Sequence, residues 1–158
     1  MPLTRPLLLA SASPRRAELL AQVGLAFRVQ VAHVHEAPPQ PAADILSWAC
    51  QTASVKARAV ARTLPAAPTL ILGADTVVLL PQSGCAHAPL LHGEPVEVLG
   101  KPRDAEDAIR MLHALSGREH TVISAFALLV HPEGVMHTAV VATQVQFRVL
   151  TDDEIFAY

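Results

Sequence analysis

The chain predicts an α/β fold, and three observations carry that prediction. Two short apolar runs, Leu7–Ala10 and Thr69–Ala74, read as buried strands, and each stands beside a stretch bounded by helix start and stop signals. Two longer runs, Thr121–Val130 and Val135–Leu150, flank His131-Pro-Glu-Gly134 and read as a hairpin. At 158 residues, 51% of them apolar, the chain is long enough for one domain with its own core. No internal repeat or linker divides it, so residues 1–158 are expected to form a single domain.

In chain order, Leu7–Ala10 ends in small hydroxyl residues, and Ser13-Pro14 opens a helix that Gly24 closes. Serine suits the N-cap, and proline suits the first helical position, where its missing N–H costs nothing. Arg15 and Arg16 then place two positive charges at the positive end of the helix dipole, which is mildly unfavourable unless an anion sits there. Backbone N–H groups, the hydroxyls of Ser11 and Ser13 and two guanidinium forks would together suit a phosphate. Two solvated arginines are the plainer alternative. Phe27–Ala32 alternates like a strand, and the proline-rich stretch 33–42 reads as a loop. Asp44 can cap a long helix running to about Thr63, ahead of the breaker Pro65. After Thr69–Ala74, Val77–Leu80 continues as strand, so a bulge or bend is expected at Asp75-Thr76. Pro81–Val98 reads as a loop or loose hairpin. Asp104 then caps a helix with Ile109, Leu112 and Leu115 on one side, ended by Gly117. Thr151-Asp-Asp-Glu154 is a capping box with only about one turn after it, and a truncation inside the last helix is expected.

Composition excludes several function classes. A net charge of −2 with arginines spread along the chain argues against a nucleic-acid partner. No apolar run approaches the roughly 20 residues of a membrane span, and no basic-then-apolar leader is seen, so no membrane partner and a cytoplasmic location are expected. Cys50 and Cys85 match no metal or redox spacing and suit reduced thiols. His33-x-His35 is better explained by a surface loop than by a metal. All other basic residues being arginine, the only two lysines, Lys56 and Lys101, draw notice, because lysine is a compact point charge not interchangeable with arginine at a tight site.

Helical geometry puts Lys56 about 20° from Ile45, on the face it shares with Ala49 and Thr52, so it points inward or along a cleft edge. A snorkelling lysine would look the same. Asp75 stands at the carboxyl end of an apolar strand, where open α/β sheets place their ligands. A carboxylate there could hold a divalent cation or take a proton from water, or could simply start a turn. Glu36 reads first as a solvated charge in the proline-rich loop. Lys101, between Gly100 and Pro102, is a rigidly presented cation. Four cations and two acids on loops, strand ends and an inward helix face are what a polyphosphate–metal site needs. No Gly-x-x-x-x-Gly-Lys-Ser/Thr loop is present, so the chain is not a P-loop enzyme.

Ser11-x-Ser-Pro-Arg-Arg16, Gly73-Ala-Asp-Thr76, Gly100-Lys-Pro102 and Leu115-Ser-Gly117, in this order, resemble the Maf family of nucleotide pyrophosphatases over essentially the whole chain. The resemblance implies an elongated mixed β-sheet flanked by helices, with a central cleft, related to inosine triphosphate pyrophosphatases. It also implies hydrolysis of a nucleoside triphosphate to the monophosphate and pyrophosphate with a divalent metal, Mg²⁺ or Mn²⁺. Asp75 would then be the catalytic base. Ser11 would lie in the substrate site, and Arg15, Arg16, Lys56 and Lys101 would face phosphate. Glu36 would lie near metal and substrate, sharing the metal with Asp75. Arg15 and Thr76 match the branch that acts on dTTP and UTP, with modified pyrimidine nucleotides as a variant. A non-catalytic, nucleotide-binding regulator of septum formation, or the same chemistry on 7-methyl-GTP, are the alternatives, and a homodimer is left open. Two departures stand out: Pro81–Val98 is longer than the family's usual turn, and a family segment of several dozen residues, bearing a specificity glutamine, has no counterpart here.

Overall fold

The structure, a computed structural model, describes residues 4–34, 44–82 and 96–158. Among them the strands are β1 (Leu7–Leu9), β2 (Arg28–Val29), β3 (Thr69–Pro81), β4 (Val96–Leu99), β5 (Glu119–His131) and β6 (Val135–Gln146). The helices are α1 (Pro14–Gln22), α2 (Ile45–Ala61), α3 (Ala105–Leu115) and α4 (Asp152–Ala157). One mixed sheet runs in the order β2-β1-β3-β5-β6, with β4 also paired to β3. The expected mixed α/β architecture is therefore present. The chain divides into two compact units, Met1–Asp75 with Ser124–Val141 and Thr76–Ile123 with Ala142–Tyr158, so that β3, β5 and β6 each contribute residues to both.

In the first unit β1 pairs in parallel with β2 on one side and β3 on the other, with Leu8 opposite Arg28 and Leu9 opposite Leu72. Side chains alternate across a strand, so β1 and β3 present two different faces. Leu8, Ala10 and Ile71 pack with Ala57 and Val60 of α2 and with Leu129 of β5. Leu7, Leu9, Leu70 and Leu72 face the other way, toward Leu19 and Leu20 of α1, across a cavity of about 560 Å³. The two helices thus cover opposite faces. Asp44 caps α2 as expected, accepting from the Leu46 N–H and the Ser47 hydroxyl. Ser13 occupies the N-cap of α1 without a side-chain capping bond, and Gly24 (φ +74°) turns the chain out of the helix.

In the second unit β3 and β4 form an antiparallel pair with Val78 opposite Leu99, in line with the hairpin alternative of the loop or loose hairpin expected over Pro81–Val98. Leu80, Leu99 and Leu115 form its core with Val78, Met111 and Phe147. Asp104 accepts from the Asp107 N–H at the start of α3, and Gly117 (φ +68°) ends the turn after it. The Thr151–Glu154 capping box is made in both directions, and α4 buries Ile155.

Three expectations change. β3 runs as one 13-residue strand through Asp75 and Thr76, with no interruption between them. Its apolar pattern simply continues, because Val77 and Leu79 are buried on the face that also carries Ile71, Gly73 and Asp75. β2 is only two residues long, since Arg28 and Val29 are exposed at the sheet edge and few contacts extend the ladder. β6 ends at Gln146, short of Leu150, where the Leu150 N–H turns instead to the Ser116 hydroxyl.

His120 on β5 is buried, stacks edge-on against Phe147 at 4.9 Å, and leaves Nδ1 without a hydrogen-bond partner among the described residues. Burial pushes its imidazolium form down in pKa, opposed only by the Arg118 backbone. The unfolded chain therefore binds that proton more tightly than the folded one, and stability present above the ordinary value of 6.5 is lost as pH falls from there. His120→Phe is expected to reduce the drop in Tm between roughly pH 7 and pH 5 by a few degrees. Thermal scans at both pH values check this, and equal drops in variant and parent would refute it.

Candidate functional site

β1 leads through α1 to β2 on one side, and β2 leads through α2 back across to β3 on the other. The chain steps outward from β1 to β2 and then crosses back past β1 to β3, so the carboxyl end of β1, beside β3, borders a topological switch point, where open α/β sheets bind ligands. The parallel register places Leu9 beside Leu72, and the Ala10 N–H bonds to the Leu72 carbonyl at 2.8 Å. Continuing the register, the Ser11–Arg16 segment leaves the end of β1 beside the middle of β3, where Asp75 lies. Local sequence brings them there: an apolar run short enough to end at Ala10, and a second that carries Asp75 three residues past Leu72.

Ser11 is nearly buried, and its Oγ accepts from the Ser13 N–H at 3.2 Å and from Arg16 Nη1 at 3.0 Å. The hydroxyl that looked like a direct phosphate ligand therefore orients the start of α1 and one guanidinium. Arg15 is exposed at the same helix start, and Arg16 is half-buried, its stem lining the apolar cavity. Both sit where the helix dipole favours an anion.

Lys56 and Asp75 form the centre of the site. Lys56 Nζ donates to Asp75 Oδ1 at 2.6 Å and to the Ala74 carbonyl at 3.3 Å. Each side chain is only 7% exposed. A lone charge at that depth would be very costly, and pairing with hydrogen bonds is the usual way a protein tolerates one. Residue order marks both residues but does not contain the bond between them. The signals for the pairing were an inward lysine on a crossover helix and the alanines at 49, 53 and 57, which let that helix lie close to β3. Gly73, a glycine inside a strand, was a third signal, since such glycines mark close backbone approach.

Thr76 and Lys101 belong to the second unit. Thr76 is exposed on β3 directly after Asp75, and Lys101 is exposed between β4 and α3. Glu36 lies outside the described residues. Among the described residues no group of three histidine, cysteine, aspartate or glutamate side chains could enclose a metal. Asp75 alone still fits a hard cation that travels with its substrate, because Mg²⁺ is commonly held by one or two carboxylates plus phosphate oxygens. No described helix is long and apolar enough to cross a membrane.

The Maf-like protein family model matches residues 6–158. A dTTP/UTP pyrophosphatase of Desulfotalea psychrophila is 38% identical over 154 residues, covering 98% of this chain and 70% of that protein. Proteins of the same name from Anaeromyxobacter dehalogenans and Escherichia coli K12 are 45% and 44% identical, and the chain spans 69% and 68% of their lengths. Among solved structures, a HAM1 protein from Coxiella burnetii has a TM-score of 0.51 at 16% identity, covering 90% of this chain and 73% of that one. That likeness concerns the fold.

Lys56→Met strands the Asp75 carboxylate in the interior and is expected to lower unfolding free energy by about 3–5 kcal/mol. Lys56→Met with Asp75→Leu removes both charges and is expected to recover most of that loss. Urea denaturation of the parent, the single and the double variant measures it. A double variant no more stable than the single would show that the pair is not what the interior requires.

Proposed function

The chain belongs to the Maf-like protein family, and from that premise we propose that it hydrolyses dTTP or UTP to the nucleoside monophosphate and pyrophosphate. The observation that carries this reading is a buried, lysine-held carboxylate in the middle of β3, beside the carboxyl end of β1 and the arginine-bearing helix start that follows it. Relatives 38–45% identical that bear the name dTTP/UTP pyrophosphatase support it.

Water attacks the α-phosphorus, the bridging bond to the β-phosphate breaks, and pyrophosphate leaves with that oxygen. Asp75 is the base. Lys56 holds Oδ1 and so fixes the rotation of the carboxylate, and Oδ2 is the atom that receives the proton. Arg15 and Arg16 bind the phosphates, Arg16 in the orientation that Ser11 gives it, and the two guanidinium groups counter charge that develops on the leaving pyrophosphate. The family resemblance makes Lys101 a further phosphate-facing cation and matches Arg15 and Thr76 to the residues that distinguish the base. Lys56 acts on phosphate indirectly, by positioning Asp75. Asp75 with Glu36 would hold a divalent cation, Mg²⁺ or Mn²⁺, which when bound neutralises phosphate oxygens.

Pyrophosphate release from a panel of triphosphates tests the proposal. dTTP and UTP are expected to turn over fastest, and Asp75→Asn is expected to lower kcat by about 10²–10⁴-fold. An unaffected Asp75→Asn would remove Asp75 from the reaction. Preference for 7-methyl-GTP would move the chain to the other specificity, and tight binding without turnover would make it a nucleotide-binding regulator.

A further inference from the structure

Gly73 is buried on β3 two residues before Asp75, so the two share one face of the strand, the face that packs against α2. Its φ is not in the left-handed region, so conformational freedom does not explain a glycine here. Space does. A Cβ at position 73 would overlap the Ala53 carbonyl oxygen and lie 3.0 Å from the Ala57 nitrogen and 3.1 Å from the Ala53 carbonyl carbon. These are backbone atoms of α2, and no rotamer change can move them away. Ala53 and Ala57 are four apart on the helix, so Gly73 sits against one turn of the helical backbone itself. Lys56 belongs to that same turn.

We propose that Gly73 is a positioning residue for the reaction centre: its missing side chain sets the spacing between α2 and β3 that lets Lys56 hold Asp75. The proposal rests on Asp75 being the reactive carboxylate. Alanine at 73 would force α2 and β3 apart by about 1 Å, a displacement that can cost two orders of magnitude in rate when it falls on a reacting group. The Lys56–Asp75 bond of 2.6 Å would then lengthen beyond ordinary hydrogen-bond range. The alanine stripe of α2 and the glycine of β3 are two halves of one device. Ala49, Ala53 and Ala57 are each fully buried and keep the helix side of the contact small, and Gly73 removes the strand side altogether.

The experiment compares the full 158-residue parent with Gly73→Ala, Lys56→Met and the double variant. Two readouts are used. Nitrogen-15 NMR of lysine ammonium groups follows Lys56, whose slowly exchanging Nζ signal is assigned by its loss in Lys56→Met. Steady-state kinetics on dTTP, normalised to folded protein, gives kcat and KM. Gly73→Ala is expected to lose the Lys56 signal and about 10²-fold in kcat with KM little changed, and the double variant is expected to be no slower than Lys56→Met alone. A retained signal with parental kcat would overturn the proposal, as would losses that multiply in the double variant, because Gly73 would then act through something other than the pair. If Gly73→Ala does not fold, Ala57→Val presses on the same contact from the helix side. It is expected to show the same loss of signal and of kcat, and parental values for both would overturn the proposal. A parent that hydrolyses no triphosphate, yet loses the Lys56 signal on Gly73→Ala, would defeat the proposed activity while leaving the positioning role of Gly73 standing.

Discussion

The buried pair of Lys56 and Asp75 is the interaction around which the first unit is arranged. Two charges withdrawn from water cost several kcal/mol each unless their geometry is good and their remaining valences are met. Here an ammonium spans from a crossover helix to the neighbouring strand and also reaches the Ala74 carbonyl, so helix and strand are tied at one height. That tie is specific in a way that Leu8, Ile71 and Val60 are not. An apolar contact tolerates a small slide of the helix, whereas a 2.6 Å ion pair does not.

The candidate chemistry is gathered where β1 ends beside β3. β1 is short and ends beside the middle of the longer β3, and the chain turns from it into α1, so backbone diverges just past the β1–β3 pairing. Into that divergence one strand delivers the Ser11–Arg16 turn and the other delivers Asp75. Ser11 is used internally, accepting from the Ser13 N–H and from Arg16, while Arg15 is exposed at the same helix start. Charge of both signs is therefore placed within one unit, negative and buried on β3, positive and more exposed on α1.

Much of this was legible in residue order. The Asp44, Asp104 and Thr151 caps, the turns at Gly24 and Gly117 and the 131–134 hairpin all appear where local chemistry put them, because a cap or a positive-φ turn is decided within a few residues. Less legible were features that depend on a neighbour in space. The bulge or bend expected at Asp75-Thr76 followed from two polar residues between apolar runs. The Asp75 carboxylate stays in the strand because Lys56 satisfies it. Ser13 does occupy the N-cap of α1, but its hydroxyl makes no capping bond, while its N–H donates to the Ser11 hydroxyl.

By itself, the sequence determined the elements, the α/β class and the short list of residues able to meet a phosphate or activate water, since periodicity, capping and charge are local properties. Tertiary structure alone decided the partners within that list: which lysine meets which carboxylate, which hydroxyl turns inward, and which glycine is there for space and not for flexibility. Partnership is a matter of a few ångströms between residues far apart in the chain, such as the 2.6 Å that separates Lys56 from Asp75 across nineteen positions. No pattern read along a single strand or helix contains that distance, because it is set only when α2 comes to rest on β3.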